Sequence, residues 1–172
     1  FESVDVGSLV REMVANVELA TDRQLRLHTE PTVIPADVAM VERIVENLLG
    51  NAVKHTPKEA RIWVRAKAVE GGALIVVEDD GPGVPPEERE RIFEAFRQGS
   101  EHASGAGVGL ALVARFAALH DGRAWVQDRE GGGASFRVFL SESPAASRHD
   151  ADDQGADPVH DPELGSSEAG QA

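Results

Sequence analysis

The chain has 172 residues, a length that suits one domain or one domain with a tail, and its 41% hydrophobic content supports a real core. It contains no cysteine, which excludes disulfides and thiolate metal sites. A formal charge of −13 argues against nonspecific nucleic-acid binding, which needs clustered Lys and Arg, and no apolar run approaches the roughly 18 residues of a membrane helix.

The opening, Phe1-Glu2-Ser3-Val4-Asp5, lacks the basic and then apolar pattern of a secretory signal, and it does not start with Met; the chain is expected to be a piece of something longer. Leu9, Val10, Met13, Val14 and Val17 have helical spacing and predict a helix over 8–17. Residues 23–29 alternate, with Leu25 and Leu27 inward, as in a strand. Pro35-Ala36-Asp37 is expected to start a longer helix whose buried stripe is Val41, Ile44, Val45, Leu48, Leu49 and Ala52, ended by Thr56-Pro57. Two strands follow, 61–68 and 73–78, joined by a turn at Gly71-Gly72. Pro85-Pro86-Glu87-Glu88 predicts a helix running to Phe96, and 98–106 a polar, glycine-containing loop. A helix over 109–120 precedes two strands, 124–128 and 135–140, joined through Gly131-Gly132-Gly133.

Composition changes near Ser141. From 141 to 172 there are eight acidic residues and one Arg, and only Val159 and Leu164 are large and apolar. Such a stretch cannot bury enough surface to offset its ordering entropy, so 141–172 is expected to be a disordered acidic tail and 1–140 the folded domain. Strands linked through tight turns among helices point to an α+β two-layer sandwich, a mixed β-sheet with helices on one face.

Four motifs carry chemistry. On the long helix, Asn47, Asn51 and Lys54 lie at i, i+4 and i+7 and share a face distinct from the apolar stripe. An Asn carbonyl is a suitable hard ligand for Mg²⁺, which takes few protein ligands, and a Lys places positive charge near phosphate. On its own this face reads equally as a solvated helix surface. Asp80-Gly81-Pro82-Gly83 follows a strand; the glycines allow close approach of a ligand, and a carboxylate there can accept from the exocyclic amine of adenine. Alone it reads as a plain Asp-Gly turn, with Glu78 and Asp79 as rim charges. Phe93 and Phe96 suit core packing and the base of a lid. Gly105, Gly107 and Gly109, followed by Leu110, precede a helix whose N–H groups and dipole suit phosphate, although the spacing is neither the dinucleotide fingerprint nor a P-loop.

In this order the motifs resemble the N, G1, F and G2 boxes of the catalytic and ATP-binding domain of sensor histidine kinases, within the superfamily of gyrase, Hsp90-type, histidine-kinase and MutL ATPases. Gly133-Ala134-Ser135-Phe136 resembles that domain's closing turn, so the likeness spans about residues 1–140. The resemblance implies a Bergerat ATP-binding fold. It implies Mg²⁺ held through Asn51, Lys54 on phosphate, Asp80 with Gly81 and Gly83 at the adenine, and Gly105, Gly107, Gly109 and Leu110 around the phosphates. A lid over about 97–106 would offer Arg97 to the γ-phosphate.

The hydrolysing branches carry a Glu four residues before the metal-ligand Asn. Here that position is Asn47, and an amide cannot serve as a general base near neutral pH. The pocket therefore reads as built to hold ATP for transfer. The runner-up is an anti-sigma-type serine kinase, a class that Asn51-Ala52-x-x-His55 resembles but that carries the Glu, or a non-catalytic nucleotide-sensing module. None of the six histidines has the setting of a phosphoacceptor; His120 reads as a capping or packing residue and His55 as packing. The acceptor is expected on a separate dimerisation domain, with a response regulator downstream. The fragment is expected to be a soluble, cytoplasmic monomer without nucleic-acid partners, from a parent anchored in the membrane.

Overall fold

The computed structural model describes residues 1–94 and 106–145. Strand β1 (Glu2–Asp5) runs into helix α1 (Val6–Ala20); β2 (Leu25–Thr29) and β3 (Val33–Ala36) lead into α2 (Val38–His55). The hairpin of β4 (Ile62–Val69) and β5 (Gly72–Asp79) is followed by two 3₁₀ turns, Pro86–Glu88 and Arg91–Phe93. Helix α3 (Ala106–Leu119) and the hairpin of β6 (Arg123–Asp128) and β7 (Ala134–Ser141) complete the domain. The main sheet has the order β2-β4-β5-β7-β6, with β2 and β4 parallel and the other neighbours antiparallel. The sheet is thus mixed, as expected.

Sequence accounts for the helices. Asp5 caps α1: its carboxylate accepts from Gly7 N at 3.2 Å, Ser8 Oγ at 2.6 Å and Thr32 N at 2.9 Å. The Ser8 and Thr32 bonds, in that order, hold its pKa below the usual carboxylate value. Asp37 caps α2 by accepting from Met40 N at 3.0 Å. The six residues of the expected apolar stripe are the buried residues of α2. They pack with Val10, Val14, Val113 and Ala117 onto Ile62, Val64, Ile75, Val77, Val138 and Leu140 of the sheet, so all three helices cover one face.

Three features differ from the sequence reading. The β1–β3 ribbon, with Ser3 opposite Pro35, was not expected; Pro35 lies inside a short strand that ends at Ala36, and Asp37 is the helix cap. Proline fits here because a two-stranded ribbon leaves many backbone N–H groups without ladder duty. The helix predicted from Pro85 is two separate 3₁₀ turns, which Pro86 can start but which Glu94, with extended backbone, breaks. Helix α3 starts at Ala106, three residues earlier than expected.

Arg23 is a further structural element. It is buried, and Nη1 donates to Val53 O at 3.4 Å and Thr56 O at 3.3 Å, while Nη2 donates to Thr56 Oγ1 at 2.7 Å and Ala60 O at 3.2 Å. A guanidinium here satisfies carbonyls that the end of α2 leaves open and sits at the negative end of its dipole. Arg23→Met keeps the apolar stem and removes the donors, leaving buried carbonyls unpaired. It should cost about 2–3 kcal/mol, read as a lower urea midpoint at unchanged m; a loss below about 0.5 kcal/mol would show that water replaces the donors.

The opposite face of the sheet has a different character. Trp63, Arg65 and Lys67 alternate with the buried Ile62, Val64 and Ala66, and their cross-strand partners are Glu78, Val76 and Leu74. Next to these stand Ser135, Arg137 and Phe139, then Gln127, Trp125 and Arg123. Glu78 is buried beneath Arg65 at 3.0 Å and Arg129 at 3.4 Å, and the Arg129 guanidinium lies 3.8 Å from the centre of the Trp63 ring.

Candidate functional site

Of the expected site residues, Gly109 at the start of α3 meets Asn47 in the middle of α2, and Gly81 in the turn after β5 meets the C-terminal end of α2. On α2, Asn47 and Asn51 are half-buried and Lys54 is exposed. Asn47 Nδ2 donates to Arg43 O at 2.7 Å, which turns Oδ1 outward from α2. A methyl carbon added at Gly109 would lie only 2.6 Å from that Oδ1. The glycine thus seats the first turns of α3 directly against the Asn47 side chain, which would have to shift to admit a Cβ.

Gly107 and Gly109 belong to α3, not to a loop before it. This suits anion binding better, because the first four N–H groups of a helix have no intrahelical acceptor. Leu110 is buried beneath them. Phe96, Arg97 and Gly105 lie outside the described residues, as does the expected lid apart from Ala106. Phe93 is half-buried, 6.4 Å edge-on from Phe136 between ring centres, a packing role.

At the turn after β5 the structure reverses the order of the two aspartates. Asp80 is engaged outside the site: its Oδ1 accepts from Arg61 N at 2.6 Å and its Oδ2 from Arg61 Nε at 2.8 Å. The Arg61 side-chain bond, then its backbone bond, holds Asp80 below the usual carboxylate range. Asp79 instead shares the inward face with Ile75 and Val77 and is 5% exposed. Burial raises its pKa, opposed by the N–H groups of Gly81 and Ala134, while the negative charge of Asp80 adds to the rise and Arg129 offsets it. Asp79 Oδ1 accepts from Gly81 N at 2.9 Å. Strand parity is the cause: Asp79 is the last residue of β5 and Asp80 follows it, bonded through its N–H to Arg61 O, so the two face opposite sides and only Asp79 points toward the helices.

Gly81 packs against the end of α2. A methyl group there would sit 2.9 Å from Asp79 Oδ1 and 3.0 Å from Thr56 Cγ2. Because Arg23 holds Thr56, the α2 terminus and the Asp79 turn form one packed unit. Gly83 has a φ of +76° and faces the Gly133 carbonyl. The sequence reading missed both Arg23 and the inward orientation of Asp79.

His120 is buried, as a capping or packing residue should be. Its Nε2 accepts from Asp37 N at 3.1 Å, so the proton is on Nδ1, which donates to Phe116 O at 2.7 Å. It ties the last turn of α3 to the cap of α2. His55 is exposed at the end of α2, which does not match the expected packing role. Among the described residues no group of three or more His, Asp or Glu could hold a metal ion, and no helix is long and apolar enough to cross a membrane.

Residues 36–144 match the family described as histidine kinase-, DNA gyrase B-, and HSP90-like ATPase. The alginate biosynthesis sensor protein KinB of Pseudomonas aeruginosa is 38% identical over 117 residues, which make up 68% of this chain and 20% of KinB. Among solved structures, the mycobacterial sensor histidine kinase MprB superposes with a TM-score of 0.72 at 30% identity, covering 83% of this chain and 98% of that one. The ATP-binding domain of PrrB from Mycobacterium tuberculosis gives 0.69 at 30% identity, covering 83% and 97%. The chain spans only a fifth of KinB, so what a whole relative does extends beyond the residues present here. With its mixed sheet, its one helical layer and its ordered motifs, the chain belongs to the histidine kinase-, DNA gyrase B- and HSP90-like ATPase family, as a catalytic domain of the sensor-histidine-kinase type.

Proposed function

We propose that this chain binds Mg²⁺·ATP between α2 and α3 and presents the γ-phosphate to a histidine on a separate dimerisation domain. The observation that carries the proposal is the approach of Gly109 to Asn47 Oδ1, which brings the N–H groups at the start of α3 against the polar face of α2. Those N–H groups and Lys54 would bind phosphate oxygens. Asn51 fits the metal, since a single amide oxygen suits an ion that brings phosphate and water ligands with it. When bound, Mg²⁺ neutralises charge on the phosphate oxygens. We assign the adenine-amine acceptor to Asp79, in place of Asp80, because its carboxylate is turned inward and is not paired to Arg61.

Asn47 cannot abstract a proton from water, so the residues of this chain bind and orient without activating a nucleophile. The chemistry left to them is positioning and charge neutralisation, which suffices for phosphoryl transfer to an imidazole held by another domain. On this reading the parent protein is a membrane-anchored sensor that passes the phosphoryl group to a response regulator, and this fragment is a monomer.

The test is titration calorimetry of the full chain with a nonhydrolysable ATP analogue and Mg²⁺. Saturable binding is expected, and Asn51→Ala should weaken it about tenfold or more in Mg²⁺ while changing binding in EDTA little. A folded wild-type chain that binds no nucleotide would overturn the reading. If the Asn51 effect is equal with and without Mg²⁺, the metal assignment fails.

A further inference from the structure

The face of the sheet turned away from the helices is cationic, although the chain as a whole carries −13. Arg26, Arg65, Lys67, Arg137 and Arg123 point outward from four strands, and the only carboxylate among the paired outward positions is the buried Glu78. Among the described residues, no carboxylate lies within 4.0 Å of Arg26, Lys67, Arg123 or Arg137, whereas Arg65 is paired with Glu78. Between these cations lie the half-buried Phe139 and both tryptophans of the sequence, Trp63 and Trp125, over the buried Leu74 and Val76. A surface of this kind in an acidic protein calls for an acidic occupant with a few apolar groups.

The chain itself supplies one. Residues 146–172 contain seven acidic side chains and one Arg, with Val159 and Leu164 among them. The last described residues leave from the edge of this face. Glu142 N donates to Gly71 O at 2.9 Å, and Ala145 N donates to Asp121 Oδ2 at 2.6 Å, beside the ends of β5 and β6. Lys67 and Arg123 stand on the second outward row from that exit, in line with Leu74 and Phe139 and one row in from Val69, Gly72 and Ser141. Twenty-seven further residues have a coil span of about 30 Å, against about 20 Å across five strands. We propose that the acidic segment 146–172 docks in cis on the cationic, aromatic outer face of the sheet.

The attraction is between exposed charges, so it weakens with salt. Docking shields Trp63 and Trp125, which makes intrinsic fluorescence a direct readout of this face. The experiment is acrylamide quenching of the full chain from about 20 mM to about 1 M NaCl. It is repeated on a variant with Asp150, Asp152, Asp153, Asp157 and Asp161 changed to Asn, and on Lys67→Glu with Arg123→Glu. For the wild type, the quenching constant should rise about twofold with salt. Both variants should show the higher constant at every salt concentration, with unchanged far-UV circular dichroism. Equal constants for wild type and the tail variant at low salt would overturn the proposal. So would wild-type shielding that fades on about hundredfold dilution, since that outcome places the segment on a second copy.

Discussion

Asp79→Asn is expected to weaken Mg²⁺·ATP binding by about 10- to 100-fold, the range for losing a hydrogen bond to a charged group, while Asp80→Asn changes it less than about threefold. The contrast follows from where the two carboxylates point. Asp80 is held by the main chain and guanidinium of Arg61, and its loss disturbs an exposed ion pair on the rim. Asp79 faces the helices, buried, with one oxygen accepting from Gly81. Calorimetry on both variants decides between them, and the reverse ranking would return the adenine contact to Asp80.

The same substitution should act on stability with the opposite sign. Burial raises the Asp79 pKa above its unfolded value of 3.8, so the folded state binds that proton more tightly. Its contribution is fully present below pH 3.8 and is lost as pH rises through the folded pKa. At neutral pH wild type therefore carries a cost that the amide does not, and an Asn oxygen can still accept from Gly81. Asp79→Asn should be at least as stable as wild type at pH 7, with the gap closing toward pH 3. Asp5 and Asp80 shift downward and favour the fold as pH rises, but they are common to both proteins and cancel in the difference. A gap that widens on acidification would show that Asp79 is stabilised as a charge.

Gly133→Ala should lower stability by at least about 3 kcal/mol, roughly a 10 °C drop in Tm. Gly133 has a φ of +102°, in the left-handed region that favours glycine. A methyl group there would run into the Asp79 carbonyl oxygen and lie 2.8 Å from the Asp80 Cα. Both obstacles are backbone, which cannot swing aside as a side chain can. Gly132 is the control: its φ is +106°, yet nothing lies within 4 Å of an added Cβ. Gly132→Ala should therefore cost only the backbone preference, about 1–2 kcal/mol. Equal losses at the two positions would mean that the close approach to Asp79 is not what requires glycine. The turn between β6 and β7 thus sets the position of the carboxylate assigned to adenine.

Much of this was legible in the sequence because the patterns were local. The stripe of α2 has a clean helical period, and β4 alternates strictly, so both gave their faces directly. Beta5 did not: 72–79 is buried along its whole length, so its own pattern carried no parity. The parity was recoverable from the hairpin. A two-residue turn at Glu70-Gly71 puts Val69 opposite Gly72, and counting back pairs Asp79 with the inward Ile62. The grip of Arg23 on the end of α2 could not be read, since a lone Arg ahead of a strand gives no hint of acceptors thirty residues on. The β1–β3 ribbon was hidden for a similar reason, as its four-residue strands are too short to display a period.

The His120 bridge between the last turn of α3 and the cap of α2 makes the two helices a lever with its fulcrum at one end. Gly107 lies thirteen residues, about 20 Å, from that fulcrum. Each 5° of swing in α3 about His120 would carry the N–H groups proposed for phosphate by roughly 2 Å, the difference between a hydrogen bond and none. The histidine far from the proposed nucleotide site, fixed in one tautomer by Asp37 and Phe116, is thus the point from which the aperture at the other end is measured.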